Sequence, residues 1–242
     1  MTEKSKYAGY SSGFAVNAGR RNKAMKIVEI LREKTERQER LSLLDIGTGN
    51  GEIAKYLSEF YNVVSVDVID QRVVQEGFKF IQVEGEELPF ADQSFDVVIS
   101  NHVIEHVENA DFHLSEIKRV LKEDGLAYLA TPNRFWPWEA HNDLLLLHYL
   151  PASQFNRLLK MLGRYQEDVF LMTWWTLNRK TKKLFSVNTV SEHICKWPLK
   201  YHMQCSPFLA KILSLVPLQI YRMFTFINPT LVVVLKKTTR LS

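Results

Sequence analysis

Nine consecutive residues, Leu43-Leu44-Asp45-Ile46-Gly47-Thr48-Gly49-Asn50-Gly51, carry the densest chemical information in this chain. An apolar run stops at an acid, and glycine then takes every second position. Such glycines let the backbone turn sharply and let a ligand approach with no Cβ in the way. A helix-like segment begins at Glu52. Its first N–H groups are free to meet an anionic part of that ligand. A dinucleotide-binding turn has a similar look. A second acid, Asp67, closes the β-branched run Tyr61–Val66 about twenty residues on, where an acidic side chain takes the ribose hydroxyls of a nucleotide cofactor.

Histidine supplies the other reactive groups. His102-Val103-Ile104-Glu105-His106 is one cluster, and His141, two residues after Glu139, is another. The bland reading of the first is that Glu105-His106 starts a helix and serves structure. In a second reading His102 or His106 is a general base. In a third, His102, Glu105, His106 and His141 hold a divalent metal, and three nitrogens with one carboxylate suit Zn²⁺ or Mn²⁺ better than Mg²⁺. His141 lies among Phe135, Trp136 and Trp138 in a proline-bracketed loop. Those rings either wall an apolar pocket around a base or anchor a surface loop to the core.

The elements that position these groups follow from periodicity. Arg20–Gln38 reads as an amphipathic helix, behind a leader, Lys6–Ala18, rich in Gly, Ser, Tyr and Phe, that by residue type alone is a frayed terminus. Strand 41–46, helix 50–60, strand 62–67, a short helix near 70–77, and strands 79–83 and 95–100 come next. Helix 110–122 and strand 125–131 complete the run. Strands alternating with helices imply a parallel sheet with helices on both faces. A loop spans 132–151, and a helix follows over 151–163 with Pro151 at its start. Residues 164–228 combine a strand with helices that cap the substrate side. Pro229–Leu235 is a final, antiparallel strand.

Further pieces occur in a telling order: Glu84-Gly85-Glu86-Glu87-Leu88-Pro89-Phe90, then Ser94–Asn101, then Leu121–Leu126 leading into Ala127–Ala130 and Thr131-Pro132-Asn133. Over about residues 40–135 the chain closely resembles the class I S-adenosylmethionine-dependent methyltransferases, nearest to the type 11 methyltransferase domain. The resemblance implies an α/β Rossmann-like fold: a seven-stranded, mostly parallel sheet with one antiparallel strand, helices on both faces and a C-terminal helical cap. One domain, 1–242, then divides into an N-terminal lid and helix (1–40), a cofactor-binding core (41–135), a substrate-side loop and cap (136–228) and the last strand (229–238).

The resemblance also assigns roles. Gly47, Gly49 and Gly51 shape the turn around the methionine portion of S-adenosylmethionine, with Thr48 a backbone contact and Asp45 orienting the amino group. Asp67 holds the ribose, with Val68 against the adenine. Glu84 stands where the family usually has an Asp that accepts from adenine N6, a departure of one methylene, and Gly85 supplies the neighbouring N–H. Asn101 touches the methionine end. The methyl on a sulfonium is already activated, so the catalyst need only align a nucleophile and remove its proton. His141, His106 and His102 are the candidates at the carboxyl edge of the sheet. The spacing at 102–106 resembles the E-x-x-E-H of metal-using ubiquinone-pathway and small-RNA methyltransferases, with His102 in place of the first Glu.

The charge bears on the acceptor. Residues 1–150 carry 17 Lys/Arg and 24 Asp/Glu, whereas residues 151–242 carry 14 Lys/Arg and 3 Asp/Glu. The basic part is also aromatic and apolar, which fits an anionic membrane face and a small or lipid-linked acceptor, or else lysines that keep an apolar lobe soluble. The run Arg179-Lys180-Thr181-Lys182-Lys183 admits an RNA methyltransferase as the alternative. A binding module that has lost catalysis is a third reading, disfavoured by the intact glycine turn and Asp67. No apolar stretch of eighteen residues and no apolar leader are present, and the two cysteines fit no metal or redox motif. The expected home is the cytoplasm, at or near a membrane.

Overall fold

The structure is a computed structural model that describes residues 14–35, 37, 39–139, 144–146, 149–163 and 169–238. Helix α1 (Phe14–Lys34) leads into strand β1 (Ser42–Ile46), helix α2 (Glu52–Leu57), and strands β2 (Asn62–Asp67), β3 (Lys79–Gln82) and β4 (Phe95–Asn101). Helix α3 (Ala110–Val120) and the long β5 (Leu121–Pro132) follow. A small ribbon, β6 (Trp138–Glu139) with β7 (Leu144–Leu145), precedes helices α4 (Ala152–Met161) and α5 (Trp174–Lys182). Then come β8 (Phe185–Thr189), α6 (Ser191–Lys196), α7 (Pro207–Leu215), α8 (Leu218–Met223), a 3₁₀ turn (Thr225–Ile227) and β9 (Thr230–Lys237).

Seven strands form one sheet in the order β3-β2-β1-β4-β5-β9-β8. The five strands from β3 to β5 pair in parallel, and β9 runs antiparallel to both its neighbours. The expected architecture is present, including the single reversed strand and the C-terminal helices. Strand residues alternate between two cores, as a sheet covered on both faces requires. Leu43, Val97, Ile99, Tyr128 and Val232 pack against α1 and α6 through Ile27, Ile30, Leu31 and Ile194. Leu44, Val98, Ala127, Leu129 and Val233 pack against α3 and α5 through Leu114, Ile117 and Leu177.

Helix ends follow local chemistry. Asn109 caps α3 by accepting from the Phe112 N–H at 3.0 Å, and Ser206 caps α7 from Leu209 at 3.2 Å, ahead of Pro207 in the first turn. The helix expected near 70–77 does not form. The N–H groups of Val73 and Val74 instead both donate to Asn50 O at 3.0 Å. That folds the segment back onto the glycine turn. The leader before residue 14 lies outside the described residues. Among the described residues, no helix is long and apolar enough to cross a membrane.

Candidate functional site

The carboxyl ends of β1, β2 and β4 meet at the glycine turn. The N–H groups of Gly47 and Thr48 both donate to Val66 O, at 2.8 and 3.2 Å, so the turn is pinned to β2 before any ligand arrives. Asp67, at the tip of β2, accepts from Gly49 N–H at 2.9 Å and Ile69 N–H at 3.4 Å. Burial pushes its carboxyl up, against those N–H donors. Asp45 is buried, with Ser65 Oγ donating to it at 3.0 Å; burial first, and Asp67 nearby, hold its carboxyl at about 7.

The three glycines do different work. All have positive φ (79°, 55° and 87°), where a side chain is strained. A Cβ on Gly47 would strike Val103 Cγ2, and one on Gly51 would strike the Val74 carbonyl. A Cβ on Gly49 would meet nothing within 4 Å. Gly47 and Gly51 are therefore dictated by the protein's own packing, and Gly49 by the space beside the turn. That open space is bordered by the carboxylate of Asp67, which accepts from the Gly49 N–H.

After β3, a cavity of about 500 Å³ is lined by Glu84, Gly85, Glu86, Glu87, Leu88 and Pro89. Glu84 and Gly85 are exposed, and Val68 is 43% exposed. The loop is fastened from α3. Leu88 N–H donates to Glu116 at 2.8 Å, and the Arg119 guanidinium donates to the Leu88 and Phe90 carbonyls at 2.8 and 2.6 Å. These two anchors escaped sequence reasoning, although their i, i+3 spacing marks them as an ion pair.

Past β4 the chain turns at His102, whose φ of 60° is unusual for a residue with a side chain. Its N–H is bound to Ala130 O at 2.8 Å. Its Nδ1 lies 3.2 Å from Glu105 Oε1, and Glu105 Oε2 accepts from Thr131 Oγ1 at 2.9 Å. Glu105 has no solvent exposure. Burial opposes its ionisation, but the His102 hydrogen bond overcomes this and holds the carboxyl below its usual range. Burial lowers the His102 imidazole, with Glu105 pulling it up and Lys23 and Lys26 of α1 pushing it down. A neutral imidazole that donates from Nδ1 to a carboxylate leaves Nε2 as a base. Burial also brings Lys26 down to about 8.

Other expectations fare differently. Glu105 and His106 lie in a turn that precedes α3, not in the helix, because Asn109 caps it three residues later. His106 N–H donates to Val103 O at 2.8 Å. Asn101 ends β4, half-buried beside Ala130. His141 lies outside the described residues, and with it part of the four-ligand metal set. Among the described residues, no three His, Cys, Asp or Glu are grouped to hold a metal ion. Phe135 stacks edge-on to Trp175 at 5.5 Å, and Trp175 packs on Phe226 at 5.6 Å, so part of the aromatic wall is built with the C-terminal segment. The Arg179–Lys183 run is not a continuous cationic track. Thr181 is buried, and Lys180 and Lys183 both face Asp111. A second cavity of about 410 Å³, between Asn109, Arg134, Phe155 and Lys180, includes none of the expected site residues.

Residues 44–129 match a methyltransferase domain family. The sequence is 34% identical over 105 residues to a ubiquinone biosynthesis O-methyltransferase of Rickettsia conorii, covering 39% of this chain and 36% of the relative. It is 30% identical over 146 residues to a demethylmenaquinone methyltransferase of Chlorobaculum parvum, covering 57% and 58%. The fold superposes on an S-adenosylmethionine-dependent methyltransferase from Mesorhizobium loti with a TM-score of 0.56 at 14% identity, covering 88% of this chain and 98% of that one. The chain thus spans about two fifths to three fifths of the length of these curated relatives.

Proposed function

We propose that the protein is an S-adenosylmethionine-dependent methyltransferase that methylates a hydroxyl of a small or lipid-linked amphiphilic acceptor, with His102 as general base; the match of residues 44–129 to a methyltransferase domain family supports this. The observation that carries this reading is the file His102–Glu105–Thr131, which sits at the edge of the sheet that holds the glycine turn. When bound, the cofactor supplies a methyl already activated by its sulfonium. Asp45, Gly49 and Asp67 would hold it at the ends of β1 and β2, and Glu84 and Gly85 would meet the adenine. His102 Nε2 would take the proton of the acceptor hydroxyl, whose oxygen would receive the methyl as the sulfur–methyl bond breaks and S-adenosylhomocysteine leaves, and the imidazolium would face the Glu105 carboxylate. Thr131 keeps that carboxylate in place. The relatives named for ubiquinone and demethylmenaquinone support a small-molecule acceptor, and the basic, aromatic C-terminal part supports an amphiphilic one.

The test is methyl transfer from labelled S-adenosylmethionine to a panel of prenylated phenols, matched against amines and an RNA pool. His102→Gln is expected to lower the rate on the phenol by about 10²–10⁴ with cofactor affinity unchanged. Transfer to amines or RNA but to no hydroxyl, or full turnover by His102→Gln, would overturn the reading.

A further inference from the structure

The α7–α8 hairpin inverts the rule that apolar side chains face inward. On α7, Phe208, Ile212 and Leu215 recur at i, i+4 and i+7, one stripe of the helix, and are 76%, 45% and 75% exposed. Leu209 is 47% exposed, and of the whole helix only Ala210 is buried. On α8 no residue is buried, and Met223 is 70% exposed with Ile220 and Phe224 beside it. Scattered exposed leucines are ordinary, whereas a contiguous apolar face marks an interaction surface.

The hairpin is not loose. Lys196 of α6 donates to the carbonyls of Ser214 and Val216, closing the end of α7, and Tyr221 Oη donates to Leu213 O at 2.8 Å. Its polar groups thus fasten the two short helices from within and leave the apolar stripe outside. The surrounding charge is mostly positive, and Glu192 of α6, 3.7 Å from Arg222, is buried. Residues 193–242 contain seven Lys and Arg and no Asp or Glu, and Lys211 and Arg222 are exposed on the two helices. Apolar residues flanked by cations, with no acidic residue on either helix, match a bilayer that carries negative headgroups.

We propose that the α7–α8 hairpin docks on an anionic lipid bilayer, burying Phe208, Ile212, Leu215 and Met223 among the acyl chains with Lys211 and Arg222 at the headgroups. The surface also has a route to the site. The 3₁₀ turn after α8 is bound to the loop after β5, where Asn133 Nδ2 donates to the Phe226 and Asn228 carbonyls at 2.7 and 2.8 Å. Phe224, Phe226, Trp175 and Phe135 follow one another at 5.5–6.4 Å between ring centres. Docking the hairpin therefore sets the carboxyl edge of the sheet close to the lipid. Binding needs neither cofactor nor turnover, so its test stands apart from the methyl-transfer reading.

Flotation of the full chain with vesicles of phosphatidylcholine, and of phosphatidylcholine with about 30% phosphatidylglycerol, measures this directly. Expected is binding at least about tenfold stronger to the anionic vesicles, most of that difference vanishing in 0.5 M salt. Phe208→Asp with Leu215→Asp, both exposed, is expected to abolish flotation while the near-UV circular dichroism is unchanged. Lys211→Glu is expected to reduce it in proportion to anionic lipid. No flotation, equal binding to both vesicles, or flotation indifferent to the double substitution would overturn the proposal. So would sedimentation showing a wild-type dimer that the double substitution splits, since the stripe would then be covered by a second copy.

Discussion

Ser65 on β2 and Asp45 on β1 are direct partners across the sheet, and the serine hydroxyl donates to the carboxylate at 3.0 Å. That single donor does not offset burial, which with Asp67 nearby leaves the Asp45 carboxyl titrating at about 7. In the proposed role, the ionised form attracts the cationic amino group of the cofactor, and the protonated form does not. Below pH 7 binding must therefore expel a proton. Affinity for S-adenosylhomocysteine is expected to fall by up to about tenfold per pH unit below 7, and to be nearly flat above it. Calorimetry at pH 6 and pH 8 measures this, and Asp45→Asn should remove the slope.

The turn glycines should separate binding from folding. Gly49→Leu projects a side chain into open space and is expected to abolish cofactor binding in a protein that still melts cooperatively. Gly47→Ala collides with Val103 and is expected to lower stability by about 1–3 kcal/mol. Thermal melts and calorimetry on both variants give the contrast; wild-type affinity in Gly49→Leu would remove the assignment of the turn.

At saturating S-adenosylmethionine, where the Asp45 effect on cofactor affinity drops out, the acidic limb of the pH–rate profile should report His102. Burial and the two lysines, Lys23 and Lys26, lower its imidazole while Glu105 raises it. Activity should persist below pH 6.5, because the base stays neutral there. Glu105→Gln removes the raising influence, so the limb should move to lower pH as the maximal rate drops. A limb that moves to higher pH would show that another group titrates.

His113 offers a stability test away from the chemistry. Its Nε2 lies 2.9 Å from Ser100 Oγ, it is 4% exposed, and burial brings its imidazole down to about 4. The unfolded chain takes up this proton near 6.5 and the folded chain only near 4. Stability is therefore full above pH 6.5, declines as pH falls towards 4, and levels off below, a loss of about 3 kcal/mol. His113→Gln should flatten that decline in denaturant melts between pH 7 and 4.5.

What was legible in the sequence was local. The glycine turn, Asp67 and the alternating strands rest on residue type and period, and they stand where expected. The segment 70–77 holds only two apolar residues, the adjacent Val73 and Val74, and their N–H groups found Asn50, more than twenty residues back, a partner no window contains. The same holds for Glu105, whose second anchor, Thr131, arrives 26 positions later on a different strand. Val103 against Gly47 and Arg119 under the 84–90 loop are likewise contacts between remote segments. Strand β8 was expected only somewhere in 164–228, because its one neighbour, β9, follows some forty residues on.

The place of β9 between β5 and β8 also sets the schedule on which a nascent chain can fold. Strand β5 is complete at Pro132, but its partner begins at Thr230, after α4–α8 and β8 have been made. During synthesis the outer edge of β5, with Leu126, Leu129 and Ala130 on it, has no strand to pair with for roughly 5–20 s at ordinary elongation rates. An unpaired apolar edge invites another chain's edge. The antiparallel strand that completes the sheet is thus also the one that ends this exposure. Slowing the ribosome between β5 and β9 should lower the soluble yield without changing one residue of the protein.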